Sequence, residues 1–300
     1  MQLGQPLQAD QFGGMKGITV KVHEAGLSSD LQGSIVEPAG QTGWGVVVLA
    51  GSSGRVDVAR AKVFAGLGAV CIALRYCGGE RQPPGICEVP LEVFTRATDR
   101  LIEEGCERVA YVGASKGAEA ALLIAADDPR VRVVAAISPS SVVWANIGPG
   151  IDGVAWPLRS SWTRDGVPLP FIKYDETWRP ERREGLIAYR RLYERSLQIG
   201  ADNLSAATIP VEKAQAEIIL VAGGDDALWP SDMFAKSIEG RLASAGKNAT
   251  LIHHPNAGHR LLFPSETTPR STQHAHGGSD EADAELGRSA WDAISALLRQ

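Results

Sequence analysis

The sequence predicts an α/β fold in which a mostly parallel central sheet is covered by helices on both faces. From residue 45 onward, short apolar runs typical of buried strands alternate with longer segments whose apolar residues recur at helical spacing. The chain has 300 residues, of which 44% are hydrophobic and 22% charged, so it can bury a large core. We therefore expect a series of βαβ units.

The predicted strands and helices follow one another along the chain. Residues 18–23 and 31–36 are predicted as two short strands joined by a turn at 26–29, an antiparallel pair that leads into the sheet. The later strands are predicted at 45–50, 69–74, 109–113, 131–138, 218–222 and 250–254. The helices are predicted at 56–67, 91–104, 116–127, 231–245 and 280–298.

One long segment departs from this alternation. Between 139 and 208 the sequence is first rich in Gly, Pro and Trp and then charged, with an amphipathic helix expected at 181–197. An excursion of that length is typical of a lid, so we expect residues 1–300 to form one domain with a cap at 139–208. A second polar stretch, 264–280, is expected to be a surface loop.

Charge and the length of apolar runs disfavour several classes of partner. With a formal net charge of −5 and no run of five Lys or Arg, the chain lacks the positive field that holds nucleic acid. No stretch reaches the length of a membrane span, and residues 1–14 lack the charged and apolar parts of a signal peptide. We expect a cytoplasmic protein that acts on a small molecule, with no nucleic acid partner, no membrane partner and no cofactor.

The sequence leaves open whether two of the four cysteines form a disulfide. Cys71 lies in a strand-like run, where a thiol behaves as a small hydrophobe. Cys77 and Cys87 flank a loop rich in Gly and Pro and could pair, but free thiols are the favoured expectation.

A strand, a sharp turn and a helix surround Ser115. The strand-like run 108–112 is followed by Gly113-Ala114-Ser115-Lys116-Gly117, which has the G-x-S-x-G spacing, and then by a helical segment. We expect the two glycines because a side chain at either position would collide with the neighbouring strand or helix. The serine would be held in a strained conformation with its hydroxyl exposed. Ser115 is therefore the predicted nucleophile of a serine hydrolase.

An acid and a histidine follow Ser115 in the order that such enzymes use. The next-to-last predicted strand ends in two glycines followed by Asp225 and Asp226, and the last strand is followed by a loop that contains His259. His259 is the predicted general base. Asp226 is predicted to orient it, because Asp226 has passed the turn and can lie beside the last strand; Asp225 stays the alternative.

Two backbone amides are expected to hold the oxyanion. One is the N–H of Lys116, directly after the nucleophile, and the other is assigned to Ser52 in the loop after the third predicted strand. Together these residues predict an α/β-hydrolase fold and an acyl-enzyme mechanism, in which His259 takes the proton as Ser115 attacks a carbonyl.

The other histidines are expected to be structural or solvated. His253 and His254 fall in the last predicted strand. His274 and His276 form an H-x-H pair that could bind a metal, but no third ligand at a fixed spacing accompanies it, so no metal site is expected.

From residue 45 to the C-terminus the chain resembles the catalytic domain shared by acyl-CoA thioesterases and bile acid-CoA:amino acid N-acyltransferases. The matching segments are Gly113-Ala-Ser-Lys-Gly117 with Glu119, Ile209-Pro-Val-Glu-Lys213, Gly224-Asp-Asp-Ala-Leu-Trp-Pro-Ser231, Gly258-His259, and Gly277-Gly278 followed by the helix with Trp291. The resemblance implies an acyl-CoA or related acyl thioester as substrate, with Ser115, Asp226 and His259 as the catalytic triad.

The chain departs from this family in two respects. The best-known members have a β-sandwich domain before the hydrolase domain, whereas only two short strands are predicted before residue 45 here. Members that transfer acyl groups to amino acids resemble cysteine enzymes at the nucleophile. Ser115 favours water as the acceptor, so the resemblance implies hydrolysis in preference to amide transfer.

The predicted cap is rich in aromatic and basic side chains. The aromatic ones either line an acyl pocket or pack the cap onto the sheet; they are Trp144, Trp156, Trp162, Phe171, Tyr174 and Trp178. The arginines could meet a CoA phosphate, although such residues more often form a solvated face; they are Arg179, Arg182, Arg183, Arg190 and Arg191. The side chain of Lys116 could contact an anionic substrate or be a surface charge.

Three other functions stay open. A carboxylic ester or lactone hydrolase of the dienelactone hydrolase kind would use the same triad, and a serine acyltransferase would need a cap that excludes water. A non-catalytic binding protein on a hydrolase scaffold is disfavoured by the complete Ser, Asp and His set.

Overall fold

The computed structural model describes residues 22–27 and 30–300, and its central feature is an eight-stranded sheet with the order β1-β2-β4-β3-β5-β6-β7-β8. The strands are β1 Val22–Gly26, β2 Gln32–Pro38, β3 Trp44–Leu49, β4 Val70–Arg75, β5 Arg108–Ala114, β6 Val131–Ile137, β7 Glu217–Gly223 and β8 Ala249–His254. β2 runs antiparallel to β1 and β4, and every pair from β4 to β8 is parallel. The predicted mostly parallel sheet is confirmed. Residues 18–21 of the first predicted strand and 28–29 of the predicted turn lie outside the described residues.

Helices cover both faces of this sheet, as expected. The α-helices of the described residues are α1 Val58–Ala65, α2 Glu92–Glu103, α3 Lys116–Asp127, α4 Arg190–Ile199, α5 Leu204–Ala207, α6 Ser231–Ser244 and α7 Asp280–Leu298. Of these, α4 and α5 belong to the segment between β6 and β7, and the other five pack on the sheet. Ser279 caps α7, since its side chain accepts a hydrogen bond from the N–H of Ala282. None of the helices in the described part of the chain is long and apolar enough to cross a membrane.

Alternation along the central strands produces two separate cores. In β3, Val47 and Leu49 pack on the face covered by α2, α3 and α6, while Val46 and Val48 pack on the face covered by α1 and α7. Successive side chains of a strand point to opposite faces, so a strand that is apolar at every position must be covered on both. All four cysteines, Cys77 and Cys87 included, are free and buried.

The segment between β6 and β7 is built from short elements. Trp162–Arg164 pairs with Val167–Pro168 and with Val89–Pro90, and Glu181–Arg183 pairs with Leu186–Ala188 as a hairpin. The helix expected at 181–197 is therefore wrong in its first part, because the helix α4 begins only at Arg190.

The hairpin has a local physical cause. Glu184 and Gly185 both have positive φ, 54° and 82°. Two such residues in succession form the two-residue turn that matches the twist of paired strands, and they cannot continue a right-handed helix.

The stretch 264–280 is not simply a surface loop. It contains no strand or helix before α7, but Ala275 is buried and its N–H donates to the carbonyl of Ile187 at 2.8 Å. The carbonyl of His276 accepts the N–H of His259 at 2.8 Å. The C-terminal part of this stretch therefore packs beside the loops that follow β7 and β8.

Candidate active site

Ser115 lies at the sharp turn between β5 and α3. It is not glycine, yet its φ is 56° and its ψ is −120°. A residue held in such a sparsely populated conformation stores strain that the surrounding structure must support. Part of that support is the hydrogen bond from the Ser115 N–H to the carbonyl of Ile137 at 2.9 Å.

The two glycines around Ser115 allow close backbone contacts. A Cβ on Gly113 would lie 2.2 Å from the carbonyl oxygen of Gly117, at the start of α3. A Cβ on Gly117 would lie 2.5 Å from the carbonyl oxygen of Ala50, just past β3. These are the collisions with helix and strand that the sequence predicts at each position.

The carboxylate of Asp226 is buried and fully hydrogen-bonded. Its Oδ1 accepts the N–H groups of Leu228 at 2.9 Å and Trp229 at 3.2 Å. Its Oδ2 accepts the hydroxyl of Ser231 at 2.7 Å and lies 2.8 Å from Nδ1 of His259. Because a carboxylate can only accept, Nδ1 carries the proton in this contact, and Nε2 of His259 is left to take another.

Asp225 faces a different group. Both of its carboxylate oxygens accept hydrogen bonds of 2.7 Å from the guanidinium of Arg183, and Oδ2 also accepts the N–H of Gly278. The hydrogen bonds from Arg183 are the largest cause that lowers the pKa of Asp225. Of the two neighbouring acids, the structure thus brings only Asp226 to His259.

His259 is held by packing and by its backbone. Its ring packs edge-on against Trp229, with 5.8 Å between ring centroids, and lies 5.9 Å from the ring of His276. The Ser138 hydroxyl donates to the His259 carbonyl at 3.0 Å. The Ser115 N–H and the His259 carbonyl therefore contact two consecutive residues, Ile137 and Ser138, at the end of β6. No hydrogen bond joins the side chains of Ser115 and His259 among the described residues.

The loop after β3 lies beside Ser115. A Cβ on Gly51 would be 3.0 Å from Cβ of Ser115, and the hydroxyl of Tyr76 lies 2.7 Å from the Ala50 carbonyl and 3.0 Å from that of Gly51. N–H and C=O point in opposite directions across a trans peptide, so the Ser52 N–H points away from Tyr76. Sequence reasoning missed Tyr76, whose only signal is its position directly after β4.

Lys116 neither lies on the surface nor faces an open site, so both expectations for its side chain are wrong. It is completely buried, and its Nζ lies 2.6 Å from Oε2 of Glu119, which is completely buried too. Oε1 of Glu119 accepts Nε1–H of Trp162 at 2.7 Å and the N–H of Trp144 at 3.2 Å. Burial raises the pKa of Glu119 and lowers that of Lys116, and their mutual attraction opposes both shifts.

The aromatic residues of the segment between β6 and β7 have different surroundings. Trp144 and Trp162 are fully buried, the first among Tyr174, Tyr193 and Phe234 and the second beside Tyr76 and Phe94. Trp156 is 70% exposed. For the two buried tryptophans, packing onto the fold is the role that these contacts show.

The arginines of this segment mostly contact acids or backbone carbonyls of the chain. Arg183 contacts Asp225, Arg190 contacts Glu194 and Asp232, Arg191 lies 3.9 Å from Glu181, and Arg179 and Arg182 donate to carbonyls. A cavity of about 210 Å³ is lined by Arg183, Arg190, Arg191, Glu181 and Asp225, among others. Its lining carries acids beside the basic groups, so it does not form a dedicated phosphate site.

The H-x-H pair lies against the site. The ring of His274 packs on Tyr189 at 5.4 Å, and that of His276 lies beside His259. Burial is the largest cause that lowers the pKa of His276, to about 4, so this ring is neutral at neutral pH. No group of three or more metal-ligating side chains occurs in residues 22–27 and 30–300.

Comparison with known proteins connects this chain to one family. The family model described as "BAAT / Acyl-CoA thioester hydrolase C terminal" matches residues 89–300, which is more than half of the chain. Acyl-coenzyme A thioesterase 6 of Mus musculus is 26% identical over 267 residues, which cover 85% of this chain and 59% of that protein. Bile acid-CoA:amino acid N-acyltransferase of Mus musculus is 26% identical over 256 residues, covering 84% of this chain and 55% of that protein. The chain thus spans less than two thirds of these relatives.

Solved structures show the same architecture. A dienelactone hydrolase-like promiscuous phosphotriesterase from metagenomic libraries superposes with a TM-score of 0.52 at 16% identity, covering 93% of this chain and 97% of that one. Both the expected α/β-hydrolase fold and the expected family resemblance are confirmed.

Proposed function

This chain belongs to the BAAT / acyl-CoA thioester hydrolase family, and on that basis we propose that it hydrolyses an acyl thioester, with Ser115 as nucleophile, His259 as general base and Asp226 as the residue that orients His259. The observation that carries the proposal is the 2.8 Å contact between Asp226 and Nδ1 of His259, in the loops that follow β7 and β8 at the same edge of the parallel sheet as Ser115. This contact leaves Nε2 as the basic nitrogen.

The reaction follows from these positions. His259 takes the hydroxyl proton as Ser115 Oγ attacks the thioester carbonyl, and the protonated imidazole then gives that proton to the leaving thiolate. The same nitrogen next takes a proton from water as the water attacks the acyl enzyme. The protonated His259 then gives this proton to Ser115 Oγ as the acyl–oxygen bond breaks and the acid is released. Asp226 stays ionised throughout and stabilises the imidazolium.

The backbone amides of Lys116 and Ser52 are the proposed oxyanion donors. The N–H of Lys116 opens α3, where the first amides of a helix lack partners within the helix. The Ser52 amide belongs to the loop whose backbone contacts Ser115, and its direction is set by the contact of Tyr76 with the preceding carbonyl. One such donor contributes about 3 kcal/mol to transition-state stabilisation in characterised enzymes.

The proposal includes the domain organisation. Residues 1–300 form one hydrolase domain, and residues 139–208 form a cap over the site. The contacts of Glu119 with Trp144 and Trp162 support this, because they connect the helix after the nucleophile to that segment. A cytoplasmic location and a small-molecule substrate, without nucleic acid, belong to the same proposal.

Water is proposed as the acyl acceptor because the nucleophile is a serine. The family includes N-acyltransferases, as the relative from Mus musculus shows, so transfer to an amine is the outcome that the experiment must separate from hydrolysis.

The test is steady-state hydrolysis of a substrate panel. Acyl-CoAs of increasing chain length are compared with p-nitrophenyl esters of the same acyl groups, with and without glycine or taurine as acceptors, and Ser115→Ala serves as the blank. Higher kcat/KM on the thioesters, free acid as product and an inactive Ser115→Ala variant support the proposal. Activity on oxygen esters alone identifies an esterase or lactonase instead, and an amide product identifies an acyltransferase.

A further inference from the structure

Ser231 is a buried hydroxyl that the proposed mechanism does not use. It is the first residue of α6, five positions after Asp226, and its side chain is completely buried. Its Oγ lies 2.7 Å from Oδ2 of Asp226, and this is the same oxygen that faces Nδ1 of His259 at 2.8 Å. Since Oδ2 can only accept, the hydroxyl must donate to it.

The other carboxylate oxygen is occupied as well. Oδ1 accepts the N–H groups of Leu228 and Trp229. Each oxygen of Asp226 therefore has two donors, and the plane of the carboxylate cannot turn without breaking at least two hydrogen bonds. Ser231 is the one side chain other than His259 among these four donors.

We propose that Ser231 is a positioning residue for the reaction proposed above, on which this inference rests. Its hydroxyl holds Oδ2 in line with Nδ1 of His259. It also stabilises part of the negative charge on Oδ2, so that the protonated imidazole is held less strongly and gives its proton more readily to the leaving group.

Other polar and charged groups lie near this pair. They are His276 beside the imidazole, Arg190, which donates to the carbonyl of Asp226, Asp225, which is held by Arg183, and Tyr193, whose ring packs on Trp229. Ser231→Ala keeps all of these groups in the chain and removes only the hydroxyl that donates to Asp226.

The main experiment is the pH dependence of kcat/KM for Ser231→Ala on the best substrate of the panel. Without the hydroxyl, Oδ2 holds the protonated imidazole more strongly, so we expect the acid limb to move to higher pH by about half a unit. We expect kcat to fall about tenfold, a size typical of losing a hydrogen bond to a charged group. Ser231→Thr keeps the hydroxyl and should restore both values.

Ser244→Ala is the matched control, because Ser244 lies exposed at the other end of the same helix and bonds only to a carbonyl of its own helix. It should leave kcat and the pH profile unchanged. If Ser231→Ala folds poorly, Ser231→Cys keeps the volume with a weaker donor and should give a smaller shift in the same direction. A profile for Ser231→Ala that superposes on the wild type would overturn the proposal.

A second readout does not depend on turnover. In the Ser115→Ala background, the titration of the His259 ring is followed by NMR with and without Ser231→Ala, and its signal is assigned with His259→Asn. We expect the midpoint to move upward without the hydroxyl, and an unchanged midpoint in a folded protein would refute the inference. If the panel shows no thioester hydrolysis, the proposed function fails, while this titration still decides the role of Ser231.

Discussion

Glu119→Gln should destabilise the protein strongly, because it removes the charge that compensates a buried ammonium. At the observed 2.6 Å separation and an effective dielectric constant of about 20, the attraction between Glu119 and Lys116 is worth about 6 kcal/mol. Part of this is recovered, because a neutral glutamine is buried at lower cost than a carboxylate. Removing one partner of a buried pair costs about 3–5 kcal/mol, and we expect a loss in that range in the free energy of unfolding.

A double variant separates the effect of the uncompensated charge from the effect of lost hydrogen bonds. Glutamine at 119 keeps an oxygen that can accept from Trp162 and Trp144, so the double variant Lys116→Met, Glu119→Gln loses the ammonium and still satisfies both donors. We expect the double variant to be more stable than Glu119→Gln alone. Glu24→Gln is the matched control, since Glu24 forms a 2.8 Å ion pair with Lys62 that is largely exposed and should contribute less than about 1 kcal/mol.

The assay is urea unfolding followed by far-UV circular dichroism, with all variants compared at one pH and ionic strength. The reasoning is refuted if Glu119→Gln lowers the free energy of unfolding by no more than Glu24→Gln does. It is also refuted if the double variant loses as much as the two single variants added together, because a coupled pair must show a non-additive energy.

Three further predictions concern the turn, the pH dependence and the acid. Gly117→Ala should lower the free energy of unfolding by more than about 3 kcal/mol or prevent folding, because its Cβ would lie 2.5 Å from a carbonyl oxygen. Gly240→Ala is the control, since a Cβ at this position on α6 meets no atom within 4 Å; it should raise the free energy of unfolding by about 0.5–1 kcal/mol in the same urea assay. Burial lowers the pKa of His276 to about 4, so between about pH 6.5 and pH 4 the unfolded chain binds a proton that the folded chain does not. The free energy of unfolding therefore decreases as the pH is lowered through this window. His276→Asn should make this decrease smaller when urea unfolding is measured at several pH values. Asp226→Asn should lower kcat by about 10⁴-fold and Asp225→Asn by less than tenfold, and the opposite order in steady-state rates would exclude Asp226 as the orienting acid.

The periodic parts of the fold could be predicted from the sequence because their causes are local. The bounds of α3 and α7 agree with the predicted 116–127 and 280–298, and both ends of each strand from β3 to β8 agree with the prediction within one residue. Apolar spacing and turn residues act over a few positions, so a short window of sequence contains the information. The same holds for the two glycines around Ser115, whose requirement follows from the turn itself.

The hairpin at 181–188 is a case in which prediction from the local sequence pattern was wrong. Its charged residues have helical spacing, and only the positive φ of Glu184 and Gly185 reveals that the chain reverses there. A Glu-Gly pair is a weaker turn signal than Asn-Gly or Asp-Gly, and the amphipathic pattern by itself favours a helix.

The sequence by itself determined the fold class, the family and the order of Ser115, Asp226 and His259 along the chain, because these depend on periodicity and on short motifs. Only the tertiary structure decided which of two adjacent acids faces His259, and that Ser231 shares its oxygen. It also showed that Lys116 is buried against Glu119 rather than solvated. Those outcomes depend on partners far apart in the chain, which decide whether a polar group meets water, another charge or a hydrogen-bond partner.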